Sequence, residues 1–193
     1  MAKFDATKAK AVPGVVDVFE ISTGVAVVAE NTWSAAQGRK VLDVTFDEGP
    51  NANVSSASIF QMFADKAAQP GVKARMDGEG RDGLAKGVKK VEAVYQVPYL
   101  SHAPMEPMNC TAHVTADGCE IWASTQMQTP SRDYAAQILG IAPEKVKVNT
   151  LFMGGGFGRR ARTDYVGETV EIARKTAKPV KLTWTREDDM QHD

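Results

Sequence analysis

Between residues 153 and 160 the chain reads Met-Gly-Gly-Gly-Phe-Gly-Arg-Arg. Glycine loses more backbone freedom on ordering than any other residue, so four in eight positions are a poor helix and a poor strand. The run must be a loop, and its flanks say what it joins. Lys145 to Phe152 before it is strand-like. About Asp164 to Lys175 after it is helix-like. In a strand–loop–helix of this kind, successive backbone N–H groups can form an anion-binding nest. The N-terminus of the following helix adds its dipole. Arg159, Arg160 and Arg162 add forked donors suited to phosphate. The run therefore reads as a loop that holds a phosphorylated cofactor. The competing reading is a turn that only lets a strand and a helix pack closely, and such a turn does not need three arginines. Two familiar phosphate motifs are absent. The third glycine of a dinucleotide fingerprint falls on Arg159, and no Gly-Lys-Ser/Thr follows.

The charge balance makes that basic cluster local. A formal net charge of −1 over 193 residues provides no field for nucleic acid or an anionic membrane. No apolar run approaches the ~20 residues of a membrane-spanning helix, and Met-Ala-Lys-Phe-Asp is not a signal peptide. Localisation stays open. Cys110 and Cys119 are the only cysteines, and His102, His113 and His192 share no ligand spacing with them. Neither a disulfide framework nor a metal site is expected. The chain opens on Ala6 to Lys10 without an obvious first strand and stops soon after the strand-like Val180 to Thr185. It is expected to be a piece of a longer polypeptide.

Along the chain, Val15 to Ile21 and Val25 to Ala29 around Ser22-Thr23-Gly24 predict a β-hairpin. Asn31 or Thr32 caps a short helix to Lys40, and Leu42 to Phe46 alternates like a half-buried strand. Asp47 to Asn51 is a break, and Gly49 to Asn53 the best boundary between two regions. Ser55 or Ser56 caps a helix to about Ala68, with Ile59, Met62 and Phe63 inward. Val72 to Met76 and Val88 to Pro98 read as strands, with a short helix or loop between. Asp117-Gly118 turns a second hairpin, Ala112 to Val114 with Cys119 to Ala123. Pro130 opens a helix that Gly140 closes. The second half is thus mixed α and β, with a ligand loop expected at a strand end.

Three other segments carry polar chemistry. Residues 99–109 hold His102, Glu106 and Asn109 on a backbone stiffened by Pro104 and Pro107. The proline pair argues against a helix and equally suits a buried connector. Ser124-Thr125-Gln126 lies between a strand end and a helix start, where Gln126 offers an acceptor and two donors to a ligand; generic linkers are also polar. Glu187-Asp188-Asp189 reads as a solvated surface or a helix start rather than a metal site.

Taken in order, His-Ala-Pro-Met-Glu-Pro (102–107), Ser-Thr-Gln (124–126), Gly-Gly-Gly-Phe-Gly-Arg-Arg (154–160) and Thr-Arg-Glu-Asp-Asp-Met (185–190) resemble the molybdenum-binding subunit of the xanthine dehydrogenase and aldehyde oxidase family. The Arg-Arg ending, with Asn31 to Arg39 and Asp47 to Asn51, looks most like the isoquinoline 1-oxidoreductase beta-subunit branch. The resemblance implies an α+β chain. Residues 1–50 would be the C-terminal part of an α/β-hammerhead domain, and 51–193 the first part of a molybdopterin-binding domain with mixed sheet and packed helices. It implies that Gln126 hydrogen-bonds a ligand of molybdenum and that Phe157 sits beside the metal centre. Gly154, Gly155, Gly156, Gly158 and Arg159 would line the cofactor, which in bacterial relatives is molybdopterin cytosine dinucleotide.

The implied parent hydroxylates an N-heteroaromatic or aldehyde carbon with water as the oxygen source. Its partners are the rest of the large subunit and a small subunit carrying [2Fe–2S] clusters. Xanthine-type members continue the loop with Gly-Lys-Glu where Arg159-Arg160-Ala161 stands here, which argues against a purine substrate. The family's catalytic glutamate lies far downstream, so no catalytic residue is expected in this chain. Alone, the chain is expected to have no turnover and no bound cofactor. The alternatives are a stand-alone phosphate- or nucleotide-binding module, or a structural subunit-contact domain that forms a homodimer through exposed apolar surface.

Overall fold

The computed structural model describes residues 3–78 and 80–192, and only the backbone of Arg81. Met1, Ala2, Glu79 and Asp193 lie outside the described residues. The chain divides into two units, one of residues 1–47 with 101–193 and one of residues 48–100.

The larger unit starts with strand β1 (Lys3–Asp5), helix α1 (Thr7–Lys10), strands β2 (Val15–Ile21) and β3 (Gly24–Ala29), helix α2 (Thr32–Lys40) and strand β4 (Asp43–Thr45). The hairpin is the one its turn sequence predicts, with Ile21 opposite Gly24. Asn31 has extended backbone, and its side chain accepts from the Ser34 amide, so it is the cap of α2. A first strand does exist: β1 pairs antiparallel with β4, Phe4 opposite Val44. Three residues carry no strand signature of their own, and their partner is some forty positions away.

The smaller unit holds helix α3 (Ser56–Ala67) and helix α4 (Gly80–Ala85). Ser55 and Ser58 form a reciprocal capping box at the start of α3. The rest departs from expectation. No residue of α3 is buried, and Met62 and Phe63 are each 47% exposed. The strands expected at 72–76 and 88–98 do not form. Val72, Val91 and Val94 stand almost fully in solvent. Alternating apolar residues make a strand only when an edge accepts their hydrogen bonds and a layer covers one face. Among the described residues this segment pairs with neither.

The chain then builds a four-stranded sheet from β5 (Asn109–Val114), β6 (Cys119–Ala123), β7 (Val146–Thr150) and β8 (Val180–Thr183), in the order β7-β6-β5-β8. β5 runs antiparallel to both β6 and β8, whereas β6 and β7 are parallel. The parallel pair is joined by helix α5 (Gln128–Leu139), which ends on Gly140 at φ 68°. Helix α6 (Asp164–Thr176) follows the glycine loop, and helix α7 (Arg186–Gln191) ends the described chain.

Alternation along the strands sends Cys110, Ala112, Ile121 and Ala123 to one face, where they pack with Tyr165, Val166, Val170 and Ala173 of α6. A Cβ on Gly167 would lie 2.4 Å from Tyr134 Cε1, so α5 and α6 touch where α6 has no side chain. The first hairpin docks on the same helix. The Ser22 amide donates to Glu171 and Thr23 Oγ1 donates to Glu168, which also accepts from Trp184 Nε1. Burial pushes the Glu168 carboxyl above its ordinary value against those two bonds.

The acidic run opens α7, capped by Thr185 and Asp188. Asp188 is partly exposed, but Asp189 is 1% exposed and paired with Arg186, so the solvated-surface reading fails there. No described helix is long and apolar enough to cross a membrane.

Candidate functional site

Strand register brings the four separate motifs to one edge of the sheet. Cys110 lies opposite Ala123 and Leu182, and Ala123 lies beside Thr150. The residues entering β5 (104–109) therefore emerge where β6 leaves (124–126), where β7 leaves (151–160) and where β8 leaves (184–189). β6 and β7 are parallel, so this edge includes two adjacent carboxyl ends, the usual place for a ligand in such sheets.

The glycine loop lies against the segments entering β5 and leaving β6. A Cβ on Gly154 would sit 2.6 Å from Glu106 Cβ, one on Gly155 3.2 Å from Pro104 Cβ, and one on Gly156 2.7 Å from Gln126 Oε1. The missing side chains thus let the loop approach its own protein. Gly155 and Gly158 have φ of 101° and 104°. Phe157 takes φ 53° with its ring 73% exposed, a conformation that costs a bulky residue roughly 1–3 kcal/mol.

Two loop amides are used internally. Gly154 N–H donates to Glu106 Oε2 at 2.8 Å, and Gly158 N–H donates to Gln126 Oε1 at 3.1 Å. Three consecutive amides, of Gly155, Gly156 and Phe157, have no hydrogen-bond partner among the described residues. Their direction follows from the carbonyls, since C=O and N–H of one trans peptide point opposite ways. Gly154 O accepts from Glu106 N (3.1 Å), Gly155 O from Arg160 Nε (2.8 Å) and Gly156 O from Arg159 N (2.9 Å). Three carbonyls are held by protein donors, and three amides face away from those donors. That is the polarity an anion-binding nest needs, and it fits a phosphorylated cofactor.

Gln126 is exposed, and its own amide donates to Arg160 O at 3.1 Å. Because Oε1 takes the Gly158 amide, Nε2 and its two donors are the end left to a ligand. The guanidinium groups play a different part from the one expected. Arg159 is 1% exposed and donates twice to Asp164, at 3.2 and 3.0 Å, with its carbon 5.1 Å from the Trp184 ring. Arg160 is 0% exposed and bonded to carbonyls and Glu106. Both face inward because a fork with this many acceptors in reach is better satisfied inside than in water. Only Arg162 of the three is exposed.

Glu106 was legible only as a polar residue in a stiffened connector. Its carboxylate accepts from Gly154, Asn109 and Arg160. Burial pushes its pKa up, but the Gly154 amide, Asn109 and Arg160 outweigh burial and hold it below the usual value. Among the described residues no cluster of His, Cys, Asp or Glu is placed to hold a metal.

Residues 63–193, more than half of the chain, match the molybdopterin cofactor-binding domain. Over 99% of its length the chain is 31% identical to isoquinoline 1-oxidoreductase subunit beta of Brevundimonas diminuta. It is 29% identical over 98% of its length to a protein of Gluconacetobacter polyoxogenes named membrane-bound aldehyde dehydrogenase [pyrroloquinoline-quinone]. It spans 26% of each of these relatives. Quinoline 2-oxidoreductase from Pseudomonas putida 86 shares the fold, with a TM-score of 0.70 over 97% of this chain and 29% of that one, at 18% identity. The match over 63–193 places this chain in the molybdopterin cofactor-binding domain family.

Proposed function

We propose that the chain forms one wall of the cofactor site of a molybdenum hydroxylase, an oxidoreductase that hydroxylates an N-heteroaromatic or aldehyde carbon with water as the oxygen source. The observation that carries this is the row of partnerless amides at Gly155, Gly156 and Phe157 beside the free Nε2 of Gln126. When bound, the molybdenum cofactor supplies the two-electron redox chemistry. The chain's own residues bind and orient. The three amides would donate to the phosphorylated pterin, Gln126 Nε2 would donate to a ligand of the metal, and the Phe157 ring would stand beside the cofactor. Gly154 and Gly158 anchor the loop, and Arg159 supports it from beneath through Asp164.

We read residues 1–50 as the end of a hammerhead-like domain and 51–193 as the first part of the cofactor domain. The cofactor would be the cytosine dinucleotide form, with [2Fe–2S] clusters on a small partner subunit and further cofactor walls elsewhere in the large subunit. The names of the two relatives cover both substrate classes, a heteroaromatic ring and an aldehyde. No catalytic base is assigned within 1–193.

Purification of the protein from its host by a tag on this chain tests the reading. Molybdenum and acid-released cytidine monophosphate should copurify in equal amounts, with iron–sulfur absorbance from the partner. A preparation carrying a loosely held free nucleotide and no molybdenum would refute it and point to a nucleotide-binding module. The 193-residue chain by itself should hold no stoichiometric molybdenum and show no turnover.

A further inference from the structure

We infer that Arg160, together with Glu106, is the positioning residue that presets the anion-binding face of the glycine loop before any ligand arrives. The inference rests on reading residues 154–158 as the cofactor loop. One fully buried guanidinium reaches three chain segments. Nε donates to Gly155 O at 2.8 Å, Nη1 to Ser124 O at 3.2 Å, and Nη2 to Glu106 O and Oε2 at 2.8 and 2.9 Å. Its own carbonyl accepts from the Gln126 amide at 3.1 Å and from Thr125 Oγ1 at 3.3 Å. The segments entering β5 and leaving β6 and β7 are thereby tied at one point.

The consequence for the site is directional. Holding Gly155 O on Arg160 turns the Gly156 N–H the opposite way, because the peptide between them is planar and trans. Holding Glu106 in place lets its carboxylate take the Gly154 amide and its own amide take Gly154 O, which turns the Gly155 N–H outward. Holding Gln126 by its amide keeps its Oε1 on Gly158 and leaves Nε2 free. A nest organised in this way does not have to be reorganised when an anion binds. The second arginine of the doublet therefore acts through the loop rather than by touching the ligand.

Arg160→Lys separates charge from geometry. Lysine keeps the positive charge beside Glu106 but cannot span three separate carbonyl directions. Backbone hydrogen exchange of the ligand-free chain is the first readout. The Gly154 amide should exchange at least about tenfold faster in the variant, while core amides at Ile121 and Val170 change less than about twofold. Titration with inorganic pyrophosphate is the second, and its Kd should weaken by about tenfold or more. Unchanged exchange at Gly154, or loop and core amides accelerating in parallel, overturns the inference. If Arg160→Lys does not fold, Glu106→Gln takes its place, and faster exchange confined to Gly154 supports the inference whereas none overturns it. A protein purified from its host without molybdenum would count against the cofactor reading, while the exchange comparison still decides the role of Arg160.

Discussion

Replacing Gly154 by alanine tests how the loop is seated. The new Cβ would lie 2.6 Å from Glu106 Cβ and 3.4 Å from both Glu106 N and Oε2. Carbon atoms pack at about 3.5–4.0 Å, so the shortfall is about 1 Å. Glu106 cannot swing aside, because its amide is bonded to Gly154 O and its carboxylate to Gly154 N, Asn109 and Arg160. The two segments must separate instead, stretching the reciprocal Gly154–Glu106 bonds of 2.8 and 3.1 Å beyond useful length. Overpacking and the two weakened bonds together cost about 2–3 kcal/mol. For a chain of this size that lowers Tm by about 5–10 °C. Thermal melts followed by near-ultraviolet circular dichroism report on the larger unit, where Trp184 is buried. Gly24→Ala is the control, since nothing lies within 4 Å of its Cβ position, and it should melt within about 1 °C of wild type. A Gly154→Ala variant that melts with wild type, or a control that falls as far, would refute the seating described here.

Two further outcomes follow from titration behaviour. The folded pKa of Glu106 lies below its ordinary 4.5, so the unfolded chain binds more protons as the pH falls between the two values, and the stabilisation is full above 4.5 and lost below it. Melting of wild type and Glu106→Gln from pH 6 to 3 should show a Tm gap that is widest at pH 6 and shrinks below 4.5; a constant gap contradicts the assignment. Burial pushes Cys110 up to about 12 and Cys119 up to about 11, so at pH 8 neither thiol should react with iodoacetamide until denaturant is added. Intact-mass detection of one or two adducts on the native chain would contradict that.

Local signals made most of the elements legible. The hairpin at Ser22-Thr23-Gly24, the Asn31 and Ser55 caps, the Asp117-Gly118 turn, the Pro130 start and the Gly140 stop all act within a few residues, and each element they bound is present. β1 and the failed strands at 72–76 and 88–98 show the other side. A strand depends on a partner edge that the sequence of the segment does not name, so the three plain residues of β1 pair while the two longer apolar segments do not. The order of the motifs 102–107, 124–126, 154–160 and 185–190 was enough to suggest the family. That they share one sheet edge was decided by the β7-β6-β5-β8 register.

The fate of the arginines was also a tertiary decision. Arg159 and Arg160 carry the same charge and the same donors as the exposed Arg162, and composition cannot separate them. They turn inward because Asp164, Glu106 and the carbonyls of Ser124 and Gly155 converge on them only once the sheet is built. The glycines in a row established on their own that a loop would stand there. Which of its amides are left for a ligand depends on where those distant acceptors and donors come to rest.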